Sequence, residues 1–443
     1  MWRTAIATVS GSTRASFHHE IEKKSSSLTF GLEGAITASK WVKRPEGTGL
    51  SFDTMQATYN RVSTVKRVLC VMEDVGRGGG AEQLMVGLLP ELRKHGYEVE
   101  IAILFQCPDN LIGDFEERGV RTHDLGLQHR WRILHNMRAL HGVARSGQFR
   151  IFWGHLYFGN LYARLLALTT YSGKSVVTLH SGGRFRPPPR GIKARMYAWL
   201  ERLLLMGSNA KVAVSRALAR DYNAFFKWRR VEVIHNGVVT NPNSQPLTLD
   251  DRRRIRVSLE VSDEDFFIVV PSRFVREKGY PTLLDALGYL KREKGWCPRA
   301  IGFGHGPLLE QLRAKAAELG LSESVRFSVP VPQADLHRII RAADAVCLPS
   351  LHEGLPIAAA EAMSLGAPTV LTRIDGFLEL VGDSGAALLA PPNDPVALAS
   401  LLWTLKEDTA LRRELGERAR RHIFDNFDIS VCASNWAALF DRL

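Results

Sequence analysis

The sequence predicts two doubly wound α/β domains facing a central cleft, preceded by an extension without regular structure. Three observations carry this. Short apolar runs alternate along the chain with helical patterns, as buried parallel strands and their crossover helices do. At 443 residues the chain is too long for one ordinary core and suits two domains of about 150–200 residues each. A stretch rich in Pro, Asn and Thr, Thr240–Leu249 (TNPNSQPLTL), divides the alternating series in two.

The elements follow in order. Residues 1–64 mix Ser, Thr, Gly and scattered charge with no sustained periodicity, which reads as a disordered extension. They hold no apolar stretch ending in a small-residue cleavage site. Glu20, Glu22 and Glu33 argue against a transit peptide, and Met55 offers an alternative start. The first domain is expected over residues 65–239. It opens with the strand Val65–Met72, the loop Gly76–Gly80 and an amphipathic helix Ala81–His95, with Leu84, Leu88 and Leu92 at helical spacing. Gly96 caps that helix, and Glu98–Phe105 completes a βαβ unit. The strand Phe149–Gly154, a helix to Thr170, the strand Lys174–Leu179, a helix Lys193–Met206 and the strands Lys211–Val214 and Val231–Ile234 finish it.

Residues 240–249 form the linker, and the second domain is expected over residues 250–425. Its strands are Phe266–Val270, Ala300–Phe303, Val325–Phe327, Ala345–Leu348 and Pro368–Leu371. Between them lie the helices Tyr280–Lys294, Leu308–Leu319, Leu336–Ala342 and Ile357–Leu365. Amphipathic helices close the chain, the last (residues 426–443) being expected to pack back on the first domain.

Composition excludes several classes. Hydrophobic content of 45% and charged content of 23% are those of a globular protein. No run reaches the roughly 18–20 apolar residues of a membrane span. Five scattered cysteines without a C-x-x-C pair argue for a reducing, cytoplasmic compartment and against a zinc site. The net charge of +12 is uneven: Arg121–His235 holds 20 Lys/Arg against 4 Asp/Glu, so the rest of the chain nets −4. That asymmetry suggests an anionic partner for the first domain, such as a lipid surface, a phosphorylated acceptor or nucleic acid.

Three motifs carry chemistry, all in the second domain. Pro271–Gly279 (PSRFVREKG) follows a strand and sets two cations, Arg273 and Lys278, five residues apart where a diphosphate would sit. Gly302–Pro307 (GFGHGP) follows another, and Gly304 and Gly306 let the backbone approach a ligand. Leu348–Pro356 (LPSLHEGLP) leads into a helix. With Pro356 in the first turn, Gly354 and Leu355 present free N–H groups at the positive end of the helix dipole, an anion site. Glu353 and Glu361 lie on either side of it, placed to grip the hydroxyls of a sugar and a ribose. Asp263-Glu264-Asp265 is the only D-x-D and stands away from these motifs, so it reads as a solvated turn and no metal is expected.

These segments resemble the donor domain of family-4 retaining glycosyltransferases, which have the GT-B fold. The resemblance rests on Arg273-Phe274, Glu277-Lys278-Gly279, Gly304-His305-Gly306-Pro307, Pro349-Ser350, Glu353-Gly354, Glu361 and Gly366-Ala367-Pro368, in order and spacing over about 110 residues. Looser likenesses lie in the first domain. Gly78-Gly79-Gly80-Ala81-Glu82 is similar to the family's glycine loop, Thr178-Leu179-His180 to its strand-end histidine, and His235-Asn236-Gly237-Val238 to a Pro-Asn-Gly-Val turn with His in place of Pro. Two departures concern nucleotide identity: His305 stands where the family often has Asp, and Ser328-Val329-Pro330 replaces a glycine-containing stretch.

The resemblance implies transfer of a sugar from a nucleoside-diphosphate sugar, which is substrate rather than cofactor, with retention at the anomeric carbon. Arg273, Lys278, Glu353 and His180 would carry catalysis. Gly79, Gly80, Gly304, Gly306, Gly354, Leu355, Pro356 and Glu361 would bind the donor, and His155 and Asn236 would lie on the acceptor side. The acceptor would be a glycan or a lipid-linked glycan. Arg184–Arg195 (RFRPPPRGIKAR), flanked by Tyr197 and Trp199, could dock on the anionic inner face of a membrane. An epimerase or phosphorylase on the same fold, and a nucleic-acid binder using the basic segment, are the alternatives. No nucleic-acid module accompanies the latter, so no nucleic acid is expected.

Overall fold

The computed structural model describes residues 66–180, 206–226, 231–241 and 247–443, with a few isolated positions between 191 and 202. The extension 1–64 and most of the Arg184–Arg195 segment and of the expected helix Lys193–Met206 lie outside the described residues.

Seven strands form the first sheet: β1 (Lys66–Met72), β2 (Tyr97–Ile103), β3 (Thr122–Asp124), β4 (Ile151–His155), β5 (Lys174–Leu179), β6 (Ala210–Ala213) and β7 (Glu232–Val233), in the order β3-β2-β1-β4-β5-β6-β7. Six form the second: β8 (Phe267–Pro271), β9 (Arg299–Phe303), β10 (Val325–Ser328), β11 (Ala345–Leu348), β12 (Thr369–Thr372) and β13 (Leu388–Ala390), in the order β10-β9-β8-β11-β12-β13. Every pair is parallel. Helices cover both faces, so the central strands β1, β4, β8 and β11 are buried apart from Lys66 and Arg67 at the start of β1, and this is why they read as apolar runs.

Strand order reverses between β1 and β4 in one sheet and between β8 and β11 in the other. Ligands in such sheets sit beyond the carboxyl ends at the reversal. The loops after β1, β8 and β11 bear the glycine run, Arg273 and Gly354, and His155 is the last residue of β4.

The first helix runs Gly80–Leu92, buries Leu84, Leu88 and Leu92, and passes through a 3-10 turn to Gly96 at φ +80°. The helix expected to begin at Leu336 starts earlier, at Gln333. The linker is shorter than expected, because Thr248 caps a helix Leu249–Ser258 by accepting from Asp251 N–H. Elements beyond those expected are the helices Ile112–Glu117, Ile133–Gly147, Arg216–Phe226 and Asp375–Val381 and the strands β3 and β13. At the C-terminus, Asp428 breaks two helices, Thr409–Phe427 and Ile429–Asp441. The second of these packs on Gly80–Leu92 and places Trp436 and Phe440 against Trp153 in the first core.

Candidate functional site

The two sets of loops meet face to face. Gly78 stands so close to His305 that a Cβ there would lie 2.8 Å from its Cε1, and Gly80 comes near Ile357 at the start of the helix Ile357–Ser364. Gly354 packs on the His180 carbonyl, and Asn236 Nδ2 donates to Leu355 O at 3.5 Å. A cavity of about 940 Å³ runs along the seam beside them, lined among others by Gln83, Gln333, His337, Ile357 and Glu361.

The cations hold different positions. Arg273 is exposed, and its charge acts on the buried carboxyl of Glu82 across the seam, so it faces the first domain. Lys278 is mostly buried and donates to Glu353 Oε1 at 2.6 Å, and Ser350 Oγ donates to the same oxygen at 2.7 Å. The turn carrying Arg273 is shaped by Gly304 and Gly306. A side chain at either would collide with the carbonyls of Ser272 or Phe274, and Phe274 N–H donates to His305 O at 2.8 Å. Their smallness is therefore already required by the neighbouring loop.

The anion helix begins at Ile357, as the sequence suggests, but Pro356 stands just before its first turn rather than in it. Pro356 is its N-cap, with φ −80° and ψ 102°, and the first helical residue is Ile357. Proline's fixed φ suits this extended position as well as the first turn. Among the described residues no group accepts the N–H of Gly354 or Leu355, so both remain available at the helix start. Glu361 lies one helical turn on. It accepts from Gln333 Nε2 at 2.5 Å, and His337 Nε2 is 3.9 Å away. Gln333 is thus a site residue that the motif reading does not contain.

In the first domain, His180 follows β5 and is partly exposed, while His155 ends β4 and is fully buried. Their rings are joined, Nδ1 of His155 to Nε2 of His180, at 2.9 Å. Burial lowers the pKa of His180 to about 4, and burial together with the neighbouring His180 lowers that of His155 well below the usual range. His155 therefore touches His180 rather than lining the acceptor side. Glu82, quoted within the glycine run, folds back over Gly79, where any side chain would strike its carboxylate. Burial raises its pKa to about 7, and Asp74 and Glu73 add to this while its own N–H and Arg273 oppose it. His235, in the place of the turn proline, donates to Glu379 at 2.7 Å. Glu379 also accepts from the N–H groups of Arg216 and Ala217, so a carboxylate of the second domain caps a helix of the first.

Two family models match the chain: Glycosyltransferase Family 4 over residues 78–241 and Glycosyl transferases group 1 over residues 251–422. A D-inositol 3-phosphate glycosyltransferase of Jonesia denitrificans is 31% identical over 219 residues, 48% of this chain and 51% of its own length. The lipopolysaccharide core biosynthesis glycosyltransferase LpsD of Rhizobium meliloti is 30% identical over 216 residues, 48% of this chain and 59% of its own. The chain spans about half the length of the curated relatives it matches. Among solved structures, Anabaena HepE in complex with UDP and glucose superposes with a TM-score of 0.71 at 19% identity, covering 85% of this chain and 99% of that one. Sucrose-phosphate synthase from Thermosynechococcus elongatus gives 0.70 at 18%, covering 85% and 99%. These structural likenesses concern the fold.

Proposed function

The chain belongs to the family-4 glycosyltransferases, with GT-B architecture, and from that premise we propose that it moves a sugar from a nucleoside diphosphate to an acceptor with retention of anomeric configuration. The observation that carries this reading is the convergence of Arg273, Lys278 and the free N–H groups of Gly354 and Leu355 opposite the glycine loop.

Negative charge grows on the leaving phosphate as the bond to the anomeric carbon breaks. Arg273, Lys278 and the helix start are placed to meet it, and each such preorganised contact contributes about 3–4 kcal/mol by analogy with lost oxyanion donors. When the phosphate draws Lys278 away, Glu353 is released to accept from sugar hydroxyls. Glu361 exchanges Gln333 for the ribose diol. His180 faces the donor sugar, and the acceptor attacks from the side the phosphate leaves. The glycine loop, with Gly79 and Gly80, closes over the diphosphate.

The acceptor side is the basic first domain, and its position suits a glycan or lipid-linked glycan on an anionic, cytoplasmic membrane face. Leu134, Tyr171 and Trp199 are largely exposed there among basic residues. No helix among the described residues is long and apolar enough to cross a membrane, so contact would be peripheral. Flotation with anionic liposomes at low salt tests this, and absence of binding removes it.

A thermal-shift screen against nucleoside diphosphates and their sugars is the first experiment. UDP and UDP-glucose head the panel because Anabaena HepE is seen with them. Stabilisation by one base, followed by turnover that needs an acceptor, supports the reading. Turnover to an isomerised donor without acceptor would replace it with an epimerase, and normal turnover in both Lys278→Ala and Glu361→Ala would remove the assigned roles.

A further inference from the structure

Resting on the reading of His180 as the residue that faces the donor sugar, we propose that His155 is a positioning residue. It donates its Nδ1–H to Nε2 of His180 and so fixes the proton of His180 on Nδ1, which makes the cleft-facing nitrogen a hydrogen-bond donor.

The geometry is tightly held. β4 and β5 pair in parallel, with His155 opposite Thr178, so the two rings come together at adjoining strand ends, 5.2 Å apart and 33° from coplanar. Three contacts hold this corner. Trp153 donates from Nε1 to Thr178 Oγ1 at 2.9 Å and lies 4.6 Å from the His155 ring. Asn160 bridges the backbone of Thr178 in both directions, donating to its carbonyl at 2.9 Å and accepting from its N–H at 3.0 Å. Leu156, next in the chain, sits at φ +61°, a strained conformation for leucine that the surroundings must impose.

A single hydrogen bond links two neutral rings, so it carries one proton, and two arrangements exist. If His180 were the donor, His155 would have to carry its own proton on Nε2. That atom is buried with no acceptor, beneath Trp153. If His155 is the donor, Nε2 is left as a bare lone pair. Buried N–H groups without an acceptor are rarer in proteins than under-satisfied acceptors. The second arrangement therefore prevails. It assigns the His180 proton to Nδ1, the one ring nitrogen of His180 that the protein leaves without a partner among the described residues. A neutral Nδ1–H can hold a hydroxyl or ring oxygen of a sugar but cannot serve as a base.

The test needs no substrate. The whole chain is labelled with [15N]histidine, and long-range 1H–15N spectra are recorded near neutral pH, with His180 identified by the signal lost in His180→Gln. The expected result is a protonated Nδ1 and a bare Nε2. His155→Asn, whose amide N–H occupies the place of Nδ1–H, should keep that pattern. His155→Asp, which offers only acceptors, should move the proton to Nε2 and reverse the two shifts. A protonated Nε2 in the unaltered chain overturns the proposal, and so does a pattern that His155→Asp leaves unmoved. Should the aspartate variant fail to fold, the unaltered chain and His155→Asn still decide. Normal turnover in His180→Gln would remove the donor-sugar reading while leaving the tautomer assignment standing.

Discussion

Replacing Glu82 with Gln should abolish a pH dependence of stability that the fold builds into the glycine loop. Glu82 is 8% exposed and folds over Gly79 at the start of the first helix. Burial raises its carboxyl from 4.5 to about 7, with Asp74 and Glu73 adding to the shift and Arg273 opposing it. A carboxyl whose pKa is raised on folding keeps its proton in the native state at a pH where the unfolded chain has lost it. Between pH 4.5 and about 7 the native state therefore binds more protons, and stability falls as pH rises. The gap of about 2.5 units, at about 1.4 kcal/mol per unit, makes the loss about 3 kcal/mol above pH 7. Glutamine has the same shape and does not titrate. Urea-unfolding midpoints measured from about pH 4 to pH 8 for both chains should converge at the acid end, separate progressively from about pH 5 and reach their full separation above about pH 7, with the glutamine variant the more stable. All other groups titrate alike in the two chains, so their difference isolates residue 82. A diphosphate beside the loop would hold the proton on Glu82 more tightly still, so donor affinity should fall through neutral pH in the natural chain and stay level in Glu82→Gln. Parallel midpoint curves would refute the reasoning.

Three further substitutions have outcomes that follow from contacts in the structure. Lys278→Ala removes the cation proposed to meet the phosphate and leaves Glu353, 11% exposed, with Ser350 but no positive charge, so donor turnover should fall by a factor on the order of 100–1,000 in a steady-state assay. Glu379→Ala takes away the acceptor shared by His235 and the N–H groups of Arg216 and Ala217, and should lower the thermal midpoint by an amount equivalent to about 1–3 kcal/mol. Burial raises the Glu379 carboxyl, but those three donors outweigh it and hold the pKa below 4.5. The seam should therefore loosen in the natural chain as pH falls below that value, which domain-specific proteolysis would detect. Arg256→Met should destabilise by about 1–3 kcal/mol, because Arg256 is fully buried and its loss takes a donor from the carbonyls of Ser262 and Ala342, while Asp344 keeps Arg252 and the Phe267 N–H; differential unfolding against the natural chain measures it.

How much of the fold was legible follows from what parallel sheets do to sequence. Strands buried on both faces, such as Phe267–Pro271 and all but the start of Lys66–Met72, stand out as apolar runs, and Gly96 marks the turn after the first helix. The elements that escaped are those without such contrast. β3 is only Thr122–Asp124 (THD), with no apolar residue, and β13 is three residues long. The helix Ile133–Gly147 does carry a buried stripe, Met137, Leu140 and Ala144, but Gly142 and its basic residues blur the pattern. The helix Leu249–Ser258 is so polar that only its Thr248–Asp251 cap distinguishes it from linker.

The site divides along a different line. Its motifs were legible wherever close approach of another backbone segment requires glycine, as at Gly304, Gly306 and Gly354. What spacing along the chain could not disclose is partnership between strand ends. Lys278 and Glu353 are 75 residues apart, His235 and Glu379 are 144 apart, and His155 and His180 are 25 apart. His235 and Glu379 meet across the seam between the domains, whereas the other two pairs become adjacent for a topological reason. β8 and β11 are neighbours because the strand order reverses there, which brings the loop after one against the loop after the other. β4 and β5 are neighbours because the series then continues outward. A sequence displays the residues that a reversal will collect but not where the reversal falls. That is why Lys278 and Glu353 could be read as ligands of two different parts of a donor, while their direct contact at 2.6 Å could be read only from the fold.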